Sequence, residues 1–245
     1  MPGNEFLDYP STRIETVTDS YLSAQGGAVE VPDPYRWLET DVRESAAVAD
    51  WVAAQNAVTF DYLRQLPGRE RIAARLTELF DHERLSLPTK RGEHLFQYRN
   101  DGLQDQPVYL VQDGPDAELR VLLDPNGWSE DGTVALAGTE PSPDGTRVAY
   151  LVQDGGSDWR TARVVDVASG EVRSDELQWL KFTGLSWAKD GSGFYYSRYP
   201  QPAPGEMFTA SSVDQAVYFH RLGTPQAEDV RVAADPSAPD VGWQA

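Results

Sequence analysis

A polar turn that recurs at nearly constant spacing constrains this chain more than any other feature. Asp144-Gly145 and Asp190-Gly191 each precede an apolar strand pattern, and their glycines are 46 residues apart. A degenerate copy places Gly92 another 53 residues earlier. A second register repeats behind the first, at Tyr109, Val164 and Tyr218. A four-strand unit that recurs every ~40–50 residues is typical of a β-propeller blade.

The repeat predicts a mainly β fold with about three blades in this chain. Propeller rings typically close with about 4–8 blades, because one blade cannot bury both of its faces alone. We therefore expect the chain to be part of a larger protein. Strands are predicted at 94–99, 107–112, 119–123, 134–138, 146–153, 160–167, 193–198, 216–221 and 229–233, separated by turn signals.

Before the repeats, the apolar residues follow a helical period. A helix is predicted to begin near Asp41, whose carboxylate would form a capping-box-like pair with Glu44. Pro67-Gly68 should end it, and a second amphipathic helix is predicted over 69–80. We expect a helical hairpin that docks on an apolar surface. The predicted domains are a helical segment at 1–82 and a partial propeller at 83–245.

Composition narrows the class of partner. The formal net charge of −18 disfavours nucleic acid and anionic membrane, and it favours either solubility or a weak attraction for cationic peptides. The absence of cysteine excludes disulfides, thiolate metal sites and a cysteine nucleophile in this sequence. The start of the chain lacks a secretory signal pattern, and no apolar run approaches the ~20 residues of a membrane span. We expect a cytoplasmic protein.

A search for catalytic motifs finds none in this chain. Ser157 has Gly155 two residues before it but Trp159 two residues after it, and Ser192 has Asp190 two residues before it, so neither lies in a Gly-X-Ser-X-Gly nucleophile elbow. Phosphate-binding loops, the dinucleotide fingerprint and the His-Glu-X-X-His zinc motif are also missing. The histidines, His82, His94 and His220, are scattered without a nearby serine or carboxylate spacing, so we interpret them as structural or surface residues.

Two residues and one loop are candidates for a functional role. Asp158 follows a Gly-Gly turn, and its spacing favours a turn-capping role over a binding role. Phe182 could protrude at the end of the ring, although spacing alone favours a place in the core. Residues 200–214 are rich in proline and lack periodicity, which is typical of a long functional or disordered loop.

With these residues laid out, the chain resembles the N-terminal part of the prolyl oligopeptidase family of serine peptidases. The similarity rests on nine short motifs that occur in the family's order along the chain. In the first half they are DPYRWLE at 33–39, VAAQN at 52–56, LTELFD at 76–81, NDGLQDQPVYLVQD at 100–113 and LLDPN at 122–126. In the second half they are SEDGTVAL at 129–136, GSDWRT at 156–161, KFTGLSW at 181–187 and LGTPQAEDV at 222–230. The sister family that cleaves after basic residues shares the architecture, but DPYRWLE and GLQDQPVYLVQD are closer to the prolyl branch.

The resemblance implies a seven-bladed propeller that covers an α/β-hydrolase domain, which is absent from this chain. Residues 1–80 would then pack on that missing hydrolase domain. The family's serine, aspartate and histidine triad would lie beyond Ala245, so this chain should be inactive alone. The full protein would cleave short proline-containing peptides after proline through an acyl-enzyme, without metal or cofactor.

The resemblance also implies roles for the three candidates. Phe182 matches a phenylalanine that borders the substrate cavity. Asp158 matches an acid that faces the catalytic domain, where it can pair with a substrate-holding arginine. The loop that begins with Tyr199 and Pro200 and ends at Asp214 matches a mobile segment that admits substrate. Its proline-rich sequence departs from the family pattern.

Two other interpretations remain open from the sequence. The chain could be a non-catalytic, propeller-type binding module, but about three blades fall short of the usual ring. It could also be a truncated remnant that has lost its function.

Overall fold

The structure, a computed structural model, describes residues 7–114 and 116–245. The chain divides into two compact units, one formed by residues up to Leu76 together with 203–210 and the other by 77–202 with 211–245. The boundary therefore lies inside the second helix, and part of one loop joins the N-terminal unit. The functional division into 1–82 and 83–245 stays a prediction.

The N-terminal unit contains a two-stranded hairpin followed by helical segments. Strand β1 (Thr18–Leu22) pairs with β2 (Ala28–Pro32), and a short 3-10 turn covers Arg36–Glu39. Helix α1 spans Ala46–Gln65, and α2 spans Arg69–Phe80. The two helices are separated at Pro67-Gly68, as predicted, and Gly68 has φ +87°.

The predicted start of α1 at Asp41 is wrong. The cap is Ser45, whose hydroxyl accepts a hydrogen bond from the Val48 amide at 3.3 Å. Asp41 instead accepts from the Arg43 amide at 2.8 Å, so its carboxylate closes a local turn before the helix.

Helix α1 is covered on one side and α2 is not covered within the described residues. The indole of Trp51 donates to Thr12 at 3.0 Å and meets Trp37 edge-on at 6.3 Å between ring centroids. On α2, by contrast, no residue is buried, and its apolar stripe is half exposed. The stripe comprises Ile72, Leu76, Leu79 and Phe80.

Three antiparallel sheets follow, and each is built from consecutive strands. Blade 1 contains β3 (Arg84–Leu85), β4 (Thr89–Arg91), β5 (His94–Asn100), β6 (Val108–Gln112) and β7 (Leu119–Leu123). Strands β3 and β4 both pair with β5, so together they act as one interrupted edge strand.

Blades 2 and 3 are four-stranded meanders. Blade 2 contains β8 (Ala135–Pro141), β9 (Arg147–Gln153), β10 (Arg160–Asp166) and β11 (Val172–Leu180). Blade 3 contains β12 (Leu185–Trp187), β13 (Gly193–Arg198), β14 (Ala216–Arg221) and β15 (Val230–Ala233). The prediction of a mainly β chain with about three propeller blades is confirmed.

Each predicted strand overlaps an observed one, but β1–β4, β11 and β12 were not predicted. The longest of these strands is β11. This strand places the buried carboxylate of Asp175 on its inward face, where an apolar residue would be expected. The polar residue interrupts the period of two, and its burial is possible only because other blade residues hydrogen-bond it.

Alternate residues of β9 contribute to two different cores. Val148 and Tyr150 belong to a cluster with side chains of blade 1, whereas Ala149 and Leu151 belong to a cluster with side chains of blade 3. Successive side chains of a strand point to opposite faces, so a central blade is apolar on both. This arrangement explains the continuous apolar run at 148–152 in the sequence.

The blades have two distinct ends, because successive strands run in opposite directions. We call the end with connections 92–93, 142–146, 167–171, 188–192 and 222–229 the turn end. We call the other, with connections 101–107, 124–134, 154–159, 181–184 and 199–215, the loop end. Asp158, Phe182 and both ends of the 199–214 loop all lie at the loop end.

Candidate functional site

Phe182 lies in the short connection between β11 and β12 and faces solvent. Its side chain is 52% exposed, so the expectation from spacing that it belongs to the core is wrong. Its backbone is left-handed, with φ +51°. A bulky residue rarely adopts this conformation, which costs about 1–3 kcal/mol and persists only where surrounding structure holds it.

Hydrogen bonds hold the backbone on both sides of Phe182. Before it, the Lys181 carbonyl accepts from the side-chain amide of Gln215 at 2.9 Å. After it, the hydroxyl of Thr183 accepts from the Ser197 amide at 2.9 Å. Gln215, Thr183 and Ser197 are buried. The turn is therefore fixed to blade 3, and the aromatic ring is presented outward.

An aromatic cluster supports the base of this turn. Trp159 meets Trp179 and Tyr199 edge-on, with ring centroids 5.6 and 6.3 Å apart. The ammonium of Lys181 lies 3.9 Å from the centroid of Trp159, a cation–π contact. Tyr199 is buried, and burial raises the pKa of its phenol. The cluster was not predicted from the sequence, because its rings come from separate strands.

Asp158 lies in the 154–159 connection at the same end of blade 2. The turn-capping atom there is the hydroxyl of Ser157, which accepts from the Trp159 amide at 3.1 Å. The side chain of Asp158 is exposed and has no hydrogen bond or ion pair with any residue in 7–114 or 116–245. The interpretation of Asp158 as the cap is therefore wrong, and its carboxylate is available to an external partner.

The long loop between β13 and β14 is divided between the two compact units. Its ends are held by the second unit: Tyr199 is buried and its amide donates to the Trp179 carbonyl of blade 2 at 3.0 Å, and the Asp214 amide donates to the Pro239 carbonyl, which follows β15, at 2.8 Å. Asp214 is left-handed, with φ +60°. Pro200 follows Tyr199 and is exposed.

The tip of this loop, residues 203–210, groups with the N-terminal unit. There, Met207 and Phe208 line a cleft of about 590 Å³ together with Arg36, Glu39 and Glu44. Residues 203–210, which lie between two strands of blade 3 in the sequence, therefore belong to the same compact unit as the N-terminal helical segment.

A buried ionic network lies at the opposite, turn end of blades 2 and 3. The Nε2 and Nδ1 atoms of His220 lie 3.1 Å from the Asp175 carboxylate and 2.7 Å from the Asp229 carboxylate. Tyr196 donates to Asp229 at 2.6 Å, and Arg173 donates to Asp175 at 3.1 Å. The backbone amide of Gly223 also donates to Asp175.

The network shifts the pKa of its members in opposite directions. Burial alone would lower the pKa of His220, but the hydrogen bonds and charges of Asp229 and Asp175 outweigh it and raise that pKa. Burial alone would raise the pKa of Asp175, but the hydrogen bonds from Gly223, His220 and Arg173 outweigh it and lower that pKa.

This network is structural and offers no catalytic base. Both ring nitrogens of His220 face carboxylates, and the ring is fully buried, so neither nitrogen can reach a substrate. Neither carboxylate partner of His220 was predicted: Asp175 lies 45 residues before it in the chain, and Asp229 lies 9 residues after it, beyond the turn that follows β14.

The site at the loop end is therefore suited to binding rather than to chemistry. It presents an exposed aromatic ring and an unpaired acid on a rigid base. The strand pairs found within 7–114 and 116–245 are all antiparallel, so the parallel sheet of an α/β hydrolase is not among these residues. Neither helix of the described ranges has the length and apolar character needed to cross a membrane.

Comparisons with known proteins agree with this architecture. The family model described as "Prolyl oligopeptidase, N-terminal beta-propeller domain" matches residues 9–245. A prolyl endopeptidase of Elizabethkingia meningoseptica is 38% identical over 227 residues, which cover 93% of this chain and 31% of that protein. The dual function macrocyclase-peptidase POPB of Amanita bisporigera is 36% identical, with 95% of this chain and 34% of that protein covered.

Solved structures show the same similarity. Prolyl oligopeptidase B from Galerina marginata, bound to a 25mer macrocyclization substrate, matches with a TM-score of 0.74 and 32% identity, over 95% of this chain and 34% of that one. The chain thus spans about a third of the length of these relatives. The motif series, the three stacked blades and the family match together show that this chain belongs to the prolyl oligopeptidase family, within its N-terminal β-propeller domain.

Proposed function

We propose that this chain is the N-terminal segment and substrate gate of a serine endopeptidase that cleaves short peptides on the carboxyl side of proline. The observation that carries the proposal is Phe182, an exposed aromatic ring on a left-handed, hydrogen-bonded turn at the loop end. An exposed ring held at this conformational cost fits a contact surface for an apolar peptide residue such as proline.

The partner domain would be an α/β hydrolase that carries the catalytic serine, aspartate and histidine. The half-exposed apolar stripe of α2 supports docking of the helical segment on such a domain. Asp158 would face the same domain, and its free carboxylate could hold an arginine that binds substrate. This mechanism needs neither a metal nor a cofactor. We also propose that the enzyme is cytoplasmic.

The 199–214 loop would act as the gate. Its tip groups with the N-terminal unit, while its ends are hydrogen-bonded to Trp179 of blade 2 and to Pro239 after β15. A loop whose tip and ends are held by different parts of the protein can control access of peptides to the site when one of these attachments is released. Short peptides would pass, and folded proteins would be excluded.

The proposal is tested by steady-state kinetics of the complete protein that contains this chain, with a Gly-Pro-linked reporter peptide. Phe182→Ala should raise KM about tenfold, which corresponds to about 1.4 kcal/mol of lost binding, and leave the melting temperature nearly unchanged. Val172→Ala is the control, because Val172 lies at the turn end of the strand that leads to Phe182 and has a similar exposure, 53%.

The 245-residue chain alone should not turn over the reporter. Turnover by the pure chain would contradict the assignment of catalysis to another domain. If the complete protein binds peptides without cleaving them, the alternative of a non-catalytic binding module or a remnant is correct. A lower melting temperature with unchanged kinetics in Phe182→Ala would show that Phe182 serves only the fold.

A further inference from the structure

We propose that Gln215 couples the seating of the 199–214 loop to the presentation of Phe182, so that the ring is positioned only while the loop ends are in place. The inference names a regulation of the proposed binding site and rests on the proposed function for its kinetic consequence. Its structural part, a mechanical link between loop and turn, can be tested without any substrate.

Gln215 is a buried amide that joins three separate segments. It directly follows Asp214, the last residue of the loop, and it is 3% exposed. Its Nε2 donates to the Lys181 carbonyl at 2.9 Å, immediately before Phe182. Its Oε1 accepts from the Trp243 amide at 2.6 Å. Both functional ends of the side chain are therefore satisfied, and its position fixes the Phe182 turn to the end of the loop.

The start of the loop holds the same turn at a second point. The Tyr199 amide donates to the Trp179 carbonyl at 3.0 Å, three residues before Phe182. The Tyr199 ring also packs edge-on against Trp159, beside the ammonium of Lys181. Thus, the first residue of the loop and the residue after its last one both contact the segment that presents Phe182.

The contacts of Gln215 and Tyr199 matter because the turn that they hold has an unfavourable backbone conformation. Trp179 and Phe182 have φ of +67° and +51°, and Asp214 has φ of +60°. These are the non-glycine residues with positive φ within 7–114 and 116–245, and all three lie where the loop meets the turn. Such conformations persist only when surrounding contacts over-determine them. Withdrawal of the loop ends would therefore let the turn relax and displace the ring of Phe182.

The link can be measured on the 245-residue chain with one spin label, since the sequence has no native cysteine. Phe182→Cys carries a nitroxide, and the mobility of the label is read by electron paramagnetic resonance. Gln215→Met keeps the side-chain volume but removes both hydrogen bonds, and it should convert an ordered spectrum to a mobile one. Gln215→Glu keeps an acceptor for Trp243 and serves as the second variant if Gln215→Met does not fold.

Gln106→Met is the matched control. Gln106 also bridges separate segments, through bonds from Nε2 to the carbonyls of Gly132 and Val134 at 3.1 and 2.8 Å, but in blade 1. It should leave the label at position 182 unchanged. An ordered label in the Gln215 variants, or equal mobility in Gln106→Met, would overturn the coupling.

Kinetics of the complete protein then separate the coupling from the proposed function. Gln215→Met should raise KM about as much as Phe182→Ala does, roughly tenfold, and the double variant should add little further, because both act through one contact. If Gln215→Met frees the label while neither variant alters KM, the coupling stands and the proposed role of Phe182 is wrong. If only Phe182→Ala raises KM, the binding role stands and the coupling is overturned.

Discussion

The two ends of the same three sheets are built on different principles. At the turn end, Asp144 and Asp190 close equivalent turns: each carboxylate accepts from the amide two residues later, at 3.0 Å, and the intervening glycine has positive φ. At the loop end, the connections differ in length and sequence, and the positive φ values of Trp179, Phe182 and Asp214 are held by distant residues. Conformations at the turn end are those that local sequence favours, whereas those at the loop end depend on tertiary contacts.

We expect the two ends of the blades to contribute to different properties, the turn end to stability and the loop end to binding. The turn end also contains the buried network of His220, Asp175 and Asp229, so we expect substitutions there to alter the free energy of unfolding. The loop end presents exposed side chains on a rigid base, so we expect substitutions of those side chains to alter binding. Stability measurements on matched variants test this expected difference between the two ends.

The largest effect is expected for Asp175→Ala. It removes a buried carboxylate that accepts from His220, Arg173 and the Gly223 amide, and it leaves the buried Nε2 atom of His220 and the Gly223 amide without this acceptor. Breaking a buried ionic network in this way costs about 3–5 kcal/mol of unfolding free energy, measured by denaturant titration. The same change at the exposed Asp158 should stay within about 0.5 kcal/mol. Similar costs for the two variants would show that the ends do not differ as proposed.

A smaller effect is expected for Gly145→Ala, and Gly191→Ala is its matched control. Both glycines occupy the same place in the repeated turn, with φ of +74° and +67°. A side chain at either costs about 1 kcal/mol from the backbone conformation. At Gly145 a Cβ would also collide with the Arg91 carbonyl of blade 1, whereas nothing lies within 4 Å at Gly191.

Overpacking against a backbone carbonyl adds about 1–3 kcal/mol, so Gly145→Ala should lower the melting temperature several degrees more than Gly191→Ala. Equal shifts would mean that the approach of blades 1 and 2 at this turn adjusts without cost.

The smallest effect is the pH dependence that the network adds to stability. Because the pKa of His220 is raised, its contribution is fully present below its unfolded value of about 6.5 and is lost as pH rises through the folded value. Because the pKa of Asp175 is lowered, its contribution is present above about 3.8 and is lost as pH falls through the folded value.

Unfolding free energies of the natural chain and of His220→Gln, measured from pH 6 to pH 9, should therefore converge as pH rises. His82→Gln is the control, since His82 is exposed and lies outside the network. A constant difference between the natural chain and His220→Gln would show that the network does not depend on the charge of His220.

Local pattern was sufficient for much of the fold. The spacing of Gly145 and Gly191 predicted the blade repeat, the alternation of apolar residues predicted most strands, and Pro67-Gly68 predicted the break between helices. These features depend on backbone preferences and side-chain periods over a few neighbouring residues, which the sequence contains directly. The helix start was misplaced because Asp41 and Ser45 both suit a cap, and only the hydrogen bond to Val48 distinguishes them.

The candidate site was named by similarity, but its form was decided by the stacking of blades. Sequence alone placed Asp158 at a turn and the 200–214 loop between two predicted strands, whereas spacing favoured a core position for Phe182. Only the tertiary structure decided that Phe182 faces solvent, that Gln215 holds its turn and that His220 lies between two carboxylates. The bonds from Gln215 to Lys181 and from His220 to Asp175 join residues 34 and 45 positions apart in the chain. Their geometry follows from how whole sheets pack, so it cannot be read from the periodicity of any one strand.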